Sequence, residues 1–156
     1  MSPTVIGIGN EHRGDDAAGL LAVRILRERI GEGAGVEIVE HRGDGASLLE
    51  LWAGRDWVIL VDAVHAPGPP GQVMRLDAAE GPLEVEPEHG STHAFGAAGA
   101  IEMARGLDRL PQRIEVYGIT GSVFAMGAEA QPVVREAART VARSIAEQIE
   151  KALKES

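Results

Sequence analysis

The stretch Val5-Ile6-Gly7-Ile8-Gly9-Asn10-Glu11-His12-Arg13-Gly14-Asp15-Asp16-Ala17-Ala18-Gly19 opens as an apolar run and stops at a glycine pair. It then turns through polar residues into two aspartates and a helical pattern. That order predicts a strand, a loop and a helix start, with Asp15 and Asp16 carried to one end of a sheet. A dinucleotide-binding turn does not fit. The fingerprint G-x-G-x-x-G needs a third glycine where this chain has His12, and acids at the helix start would repel a pyrophosphate bound by backbone N–H groups. Two readings of the aspartates stay open: they hold a cation, or at least one of them caps the helix, where Asp is among the preferred residues.

The rest of the chain bounds the answer. Its 156 residues, 44% apolar by count and 25% charged, suit one globular domain spanning 1–156. No apolar run approaches the ~20 residues of a membrane span, and no basic segment followed by a long apolar one opens the chain, so a soluble cytoplasmic protein is expected. The absence of cysteine excludes disulfides, thiol nucleophiles and thiolate ligands, leaving oxygen and imidazole nitrogen for any metal. A net charge of −9 argues against nucleic acid and anionic membrane as partners. No apolar stripe is left over for self-association, so a monomer is expected.

Apolar residues Ala18, Leu21, Ala22, Ile25, Leu26 and Ile30 recur at helical spacing, predicting a helix over 16–30 stopped by Gly31 and Gly33. Residues 36–39 read as a short strand, Gly43-Asp44-Gly45 as a turn, and 47–53 as a short helix. Trp57-Val58-Ile59-Leu60-Val61 is the continuous apolar run of a strand buried on both faces, ending at Asp62. The Pro-Gly turn at 66–71 is too short for a crossover, so a strand at 72–76 should run antiparallel to the one before it, at or near an edge. Residues 78–90 read as loop. Ser91-Thr92 should cap a helix carrying Ala94, Phe95, Ala98, Ile101 and Ala104 to Gly106, with His93 in its first turn. Residues 113–119 read as a strand, followed by a loop spaced by Gly118, Gly121 and Gly127. Pro132 opens a long helix with a buried stripe at Val134, Ala138, Val141, Ile145 and Ile149.

Alternating strands and helices give an α/β, three-layer α/β/α domain with a mostly parallel sheet of about five strands, one of them antiparallel. Ligands in such sheets sit beyond the carboxyl ends of the strands, where Asp16, Asp62 and the 118–127 loop fall and where His93 could be brought by its helix. Two carboxylates and one imidazole make a plausible three-ligand set for a divalent transition metal with open positions. Taken singly, each has a structural reading: Asp16 a cap, Asp62 a turn-former, His93 an exposed helix-start residue. His12, His41, His65 and His89 lie in or beside loops, and His65 and His89 are close enough in sequence to Asp62 and His93 to support those ligands. No G-x-S-x-G elbow is present, and Ser91 reads as a cap, so serine hydrolysis is not expected.

At these residues the chain resembles the hydrogenase maturation endopeptidases, which process the large subunit of [NiFe] hydrogenases. Gly7-Ile8-Gly9-Asn10 through Asp15-Asp16 to Gly19 is similar to the family's G-x-G-N-x-x-x-x-D-[DE]-x-x-G signature. Val61-Asp62-Ala63 is similar to its strand-end V-D-A, Ser91-Thr92-His93 to its [ST]-[ST]-H, and Val116-Tyr117-Gly118-Ile119 to its last strand. The resemblance implies that Asp16, Asp62 and His93 bind nickel, or a surrogate divalent metal, and carry an endopeptidase activity classed as aspartic-type. The reaction implied is removal of a C-terminal extension from the large-subunit precursor after nickel insertion. Either a metal on these residues polarises the scissile carbonyl and activates water, or the residues recognise nickel already held by the precursor. The lack of a general base such as the Glu of H-E-x-x-H favours the second. Position 16 is Asp where some members have Glu. Arg42 stands where many carry an acid before Gly43, so a role for that acid in substrate handling does not transfer, although Asp44 is nearby. The rivals are another enzyme on a related fold, such as a nucleoside phosphorylase or peptidyl-tRNA hydrolase, and a non-catalytic chaperone that holds the large subunit.

Overall fold

The computed structural model describes residues 2–31, 35–81 and 97–155. Five strands form one sheet: β1 (Thr4–Ile8), β2 (Glu37–His41), β3 (Trp57–His65), β4 (Val73–Asp77) and β5 (Arg113–Gly121), in the order β2-β1-β3-β5-β4. All neighbours pair in parallel except β4 and β5, which are antiparallel. The helices are α1 (Ala18–Ile30), α2 (Gly45–Trp52), α3 (Ala98–Gly106) and α4 (Pro132–Lys154).

The strand alternation sorts side chains into two cores. Ile59, Val61, Ala63, Tyr117 and Ile119 pack with α1 and α4, whose contribution includes Leu26, Val141 and Ile145. Val58, Leu60, Val64, Ile114 and Val116 pack with α2 and α3 through Leu48, Trp52 and Ile101. The three-layer α/β/α expectation is met, because β1, β3 and β5 are apolar on both faces and must be covered twice. The predicted stripe of α4 is the buried one, with Val134, Ala138, Val141, Ile145 and Ile149 no more than 1% exposed. No helix among the described residues is long and apolar enough to cross a membrane.

Several boundaries differ from the sequence expectation. β3 does not end at Asp62: Asp62, Ala63, Val64 and His65 go on pairing with Gly118, Ile119, Thr120 and Gly121. Gly118 and Gly121 therefore belong to β5 rather than to the loop after it. β1 pairs with β3 only as far as Val61, so Asp62 lies in a strand yet past the end of its β1 neighbour. The 72–76 strand does run antiparallel at an edge, but β5 is inserted between it and β3. The α-helix begins at Ala18, after a single 3₁₀ turn over Gly14–Ala17, instead of at residue 16. At its other end Gly31, with φ of +70°, donates its N–H to the Arg27 carbonyl and closes the helix where glycine was expected to. α2 starts at Gly45, two residues before the expected Ser47. Ser91, Thr92 and His93 and most of the 78–90 loop lie outside the described residues. Ala94 and Phe95 of the expected helix also lie outside the described residues, while α3 carries Ala98, Ile101 and Ala104 buried as expected.

Candidate functional site

The 3₁₀ turn over Gly14–Ala17 packs against β3 at the carboxyl end of the sheet. Its two acids have opposite fates. Asp15 is fully buried. Its Oδ2 accepts hydrogen bonds from the backbone N–H groups of Ser122 (2.9 Å) and Val123 (3.0 Å) and from the Gln131 side-chain amide (2.6 Å), and its Oδ1 accepts from the Gln131 N–H (2.8 Å). In return the Asp15 N–H donates to the Val123 carbonyl at 2.7 Å. The carboxylate thus ties the loop after β5 and the start of α4 to the turn after β1. It caps neither α1 nor its own turn, since no side-chain cap bond is made there. Because its partners lie more than a hundred residues away, sequence reading limited to local capping could not find this role.

Burial alone would push the Asp15 carboxyl up, but the donors from Gln131, Ser122 and Val123 together outweigh it and hold the group below its ordinary value of 3.8. The unfolded chain therefore takes up this proton first as pH falls. The contribution of Asp15 to stability is complete above about pH 4 and is lost as pH drops through its depressed folded-state value. Urea unfolding between pH 5 and pH 2.5 should accordingly show a steeper loss of stability in the wild type than in Asp15→Asn. Parallel slopes would show that the clamp does not depend on charge.

Asp16 is half-exposed, and its Oδ2 accepts the Asn10 N–H at 3.0 Å, closing the turn of the 9–16 loop. Among the described residues its Oδ1 accepts no hydrogen bond. Asp62 is 3% exposed and, by strand alternation, shares the α2/α3 face with Leu60 and Val64. Its Oδ1 accepts the Ala63 N–H at 2.9 Å, and its Oδ2 accepts the Ala97 N–H at 3.3 Å, anchoring the entry to α3. The turn bearing Asp16 thus packs on the strand bearing Asp62. His93, the third expected member of the set, lies outside the described residues, and those residues by themselves contain no group of three or more His, Asp and Glu arranged for a metal. His65 does not support Asp62: three positions along the strand, it emerges on the opposite face and stacks on Phe124, ring centroids 3.7 Å apart. His89 lies outside the described residues. A third buried acid, Glu115, sits near the start of β5 and is satisfied by Arg75 (3.1 Å), Arg113 (2.8 Å) and the Gln148 amide (2.8 Å).

Beside the turn runs an open groove of about 510 Å³ between the 9–12 loop and the residues that join β2 to α2, lined among others by Asn10, Arg24, Glu40, His41, Arg42 and Ser47. His41 and Ser47 are 2.8 Å apart, the separation of a nucleophile and its base. The network assigns the opposite direction. The Gly43 N–H donates to His41 Nδ1 at 2.8 Å, so the proton of the neutral ring is on Nε2 and is donated to Ser47 Oγ. A histidine so held cannot receive the proton of Ser47.

Residues 21–150 match the profile of the family described as hydrogenase maturation protease. The chain is 31% identical over 120 residues to the Hydrogenase 2 maturation protease of Escherichia coli strain K12, covering 76% of this chain and 73% of that one. Its fold is similar to the hydrogenase maturating endopeptidase HybD from Escherichia coli, at 27% identity and a TM-score of 0.73 over 99% of this chain and 93% of the other. It is equally similar to the [NiFe] hydrogenase maturation protease HycI from Thermococcus kodakarensis, at 28% identity and a TM-score of 0.74 over 96% and 92%. With the family profile spanning most of the chain and an α/β sheet of the same build, this protein belongs to the hydrogenase maturation proteases.

Proposed function

We propose that this protein is the endopeptidase that removes the C-terminal extension of a [NiFe] hydrogenase large-subunit precursor after nickel insertion, acting in the cytoplasm as a monomer. In this reading Asp16, Asp62 and His93 recognise nickel carried by the precursor, so that an unfilled precursor is spared. The observation that supports it is the packing of the Asp16 turn on the Asp62 strand at the carboxyl end of the sheet. Oxygen and imidazole donors suit a divalent ion of this kind, and a carboxylate whose Oδ1 accepts no bond from the described residues is free to meet one. Nickel is here part of the substrate, and a bound divalent ion can polarise a carbonyl oxygen beside it. What the chain contributes is position: Asp15 fixes the turn, Asn10 orients Asp16, and the β3–β5 pairing fixes Asp62.

The test is the intact mass of a co-expressed large-subunit precursor, nickel-loaded or nickel-free, before and after incubation with the wild type and with His93→Ala. One C-terminal peptide should be lost from the nickel-loaded precursor with the wild type alone, with at least a hundredfold drop in rate for the variant, about 2.7 kcal/mol of transition-state stabilisation. Equal cleavage of the nickel-free precursor would overturn recognition through nickel. Retained binding with no change of mass would mark the protein as a holding chaperone.

A further inference from the structure

Resting on the precursor-processing reading, we propose that Arg42 is a specificity-determining residue whose guanidinium pairs with a carboxylate of the precursor segment lying in the groove beside the Asp16 turn. The argument is one of charge compensation along the groove. Glu40 accepts from Arg24 at 2.7 and 3.1 Å and from Arg27 at 3.2 Å, and the same Arg24 reaches Glu11 at 3.2 Å. These four groups satisfy one another. His41 is neutral in the tautomer fixed by Gly43 and Ser47. Asp44 occupies the N-cap position of α2, beside the positive end of the helix, but among the described residues makes no side-chain cap hydrogen bond and no ion pair with Arg42.

Arg42 is left. It is exposed, and among the described residues it makes no ion pair. Its backbone is nonetheless held: Gly43, at φ +97°, donates to His41, and a Cβ there would stand 3.1 Å from the Ile8 side chain, so the turn is seated on the end of β1. A fixed backbone with an uncompensated cation at its tip is a recognition element for an anion. In a chain of net charge −9, an acidic substrate segment meets overall repulsion, and an unpaired cation in the groove offsets it locally. The carboxylate has two chemical sources, an Asp or Glu side chain of the segment or the terminal carboxylate of the extension.

Initial rates with nickel-loaded precursor decide the matter, measured for wild type, Arg42→Ala and Arg42→Glu at low and at moderate ionic strength. Arg42→Glu should lower kcat/KM about tenfold through KM, Arg42→Ala should fall between, and the gap should narrow with added salt. If a side chain is the source, replacing one acid of the precursor segment by lysine should restore cleavage by Arg42→Glu. If the terminal carboxylate is the source, extending the precursor by neutral residues should abolish the difference between wild type and variant. Cleavage by Arg42→Glu at the wild-type kcat/KM at both ionic strengths overturns the proposal while leaving the processing activity standing. A wild type that leaves the loaded precursor uncut overturns the processing reading and this one with it.

Discussion

Gly19→Ala should destabilise the protein by about 3–4 kcal/mol or leave it unfolded at 25 °C, whereas Gly99→Ala should stabilise it by about 0.5 kcal/mol. Both glycines are in helices, where alanine is intrinsically better, so propensity predicts the same sign for each. Their surroundings separate them. A Cβ on Gly19 would fall on the carbonyl oxygens of Val61 and Ile8 and 2.8 Å from the Ile8 nitrogen, while around Gly99 nothing among the described residues lies within 4 Å. Backbone atoms of two paired strands cannot step aside as a side-chain tip can, so the first turn of α1 would have to lift from the sheet. Gly7 faces the same junction, since a Cβ there would meet the Gly19 oxygen and Val23. Urea unfolding of the two variants beside the wild type is the measurement. A loss below about 1 kcal/mol for Gly19→Ala would mean that the helix seats on the strands with slack.

The same contact explains why the opening glycine motif was readable in part. Its spacing excluded a phosphate-binding turn and placed a strand, a loop and a helix correctly, because hydrophobic period and turn chemistry are local signals. What the glycines do instead, letting α1 lie on the backbones of β1 and β3, depends on β3, which comes some forty residues later. Asp62 shows the same limit. The apolar run of β3 was legible, but an aspartate reads as a strand end, and only the longer β5 opposite it reveals that pairing runs on to His65. The insertion of β5 between β3 and β4 was likewise invisible, since connection length constrains direction but not which neighbour a strand takes. The placement of Asp16 and Asp62 at the carboxyl end of the sheet was legible from the order of strands and helices. The neutral, donating state of His41 was not, because it is set by Gly43 and Ser47 in a turn whose geometry no periodicity encodes.

Asp15→Ala should cost about 3–5 kcal/mol, a large share of the stability of a domain this size, and should do so by releasing the loop after β5 instead of by opening the core. The variant leaves the Ser122, Val123 and Gln131 N–H groups without the acceptor that draws them together, and all three bonds are to an ionised group, the stronger class of hydrogen bond. Asp15→Asn is the sharper comparison. It keeps the volume, but its amide turns one acceptor into a donor facing other donors, so most of the loss should persist. Because Gln131 is the N-cap residue of α4, loss of the clamp should also fray the first turn of that helix while Val141, Ile145 and Ile149 stay packed. Amide hydrogen exchange can resolve this: protection should fall first at Ser122, Val123, Gln131 and residues 133–135, and later, or not at all, along 141–149. Uniform loss across α4 would instead mean that the carboxylate supports the core as a whole. If the local pattern is found, the turn that carries Asp16 is held from outside by a buried neighbour. One acid of the pair would then be the support of the other, Asp15 buried against the loop after β5 and Asp16 left partly exposed on the turn it holds.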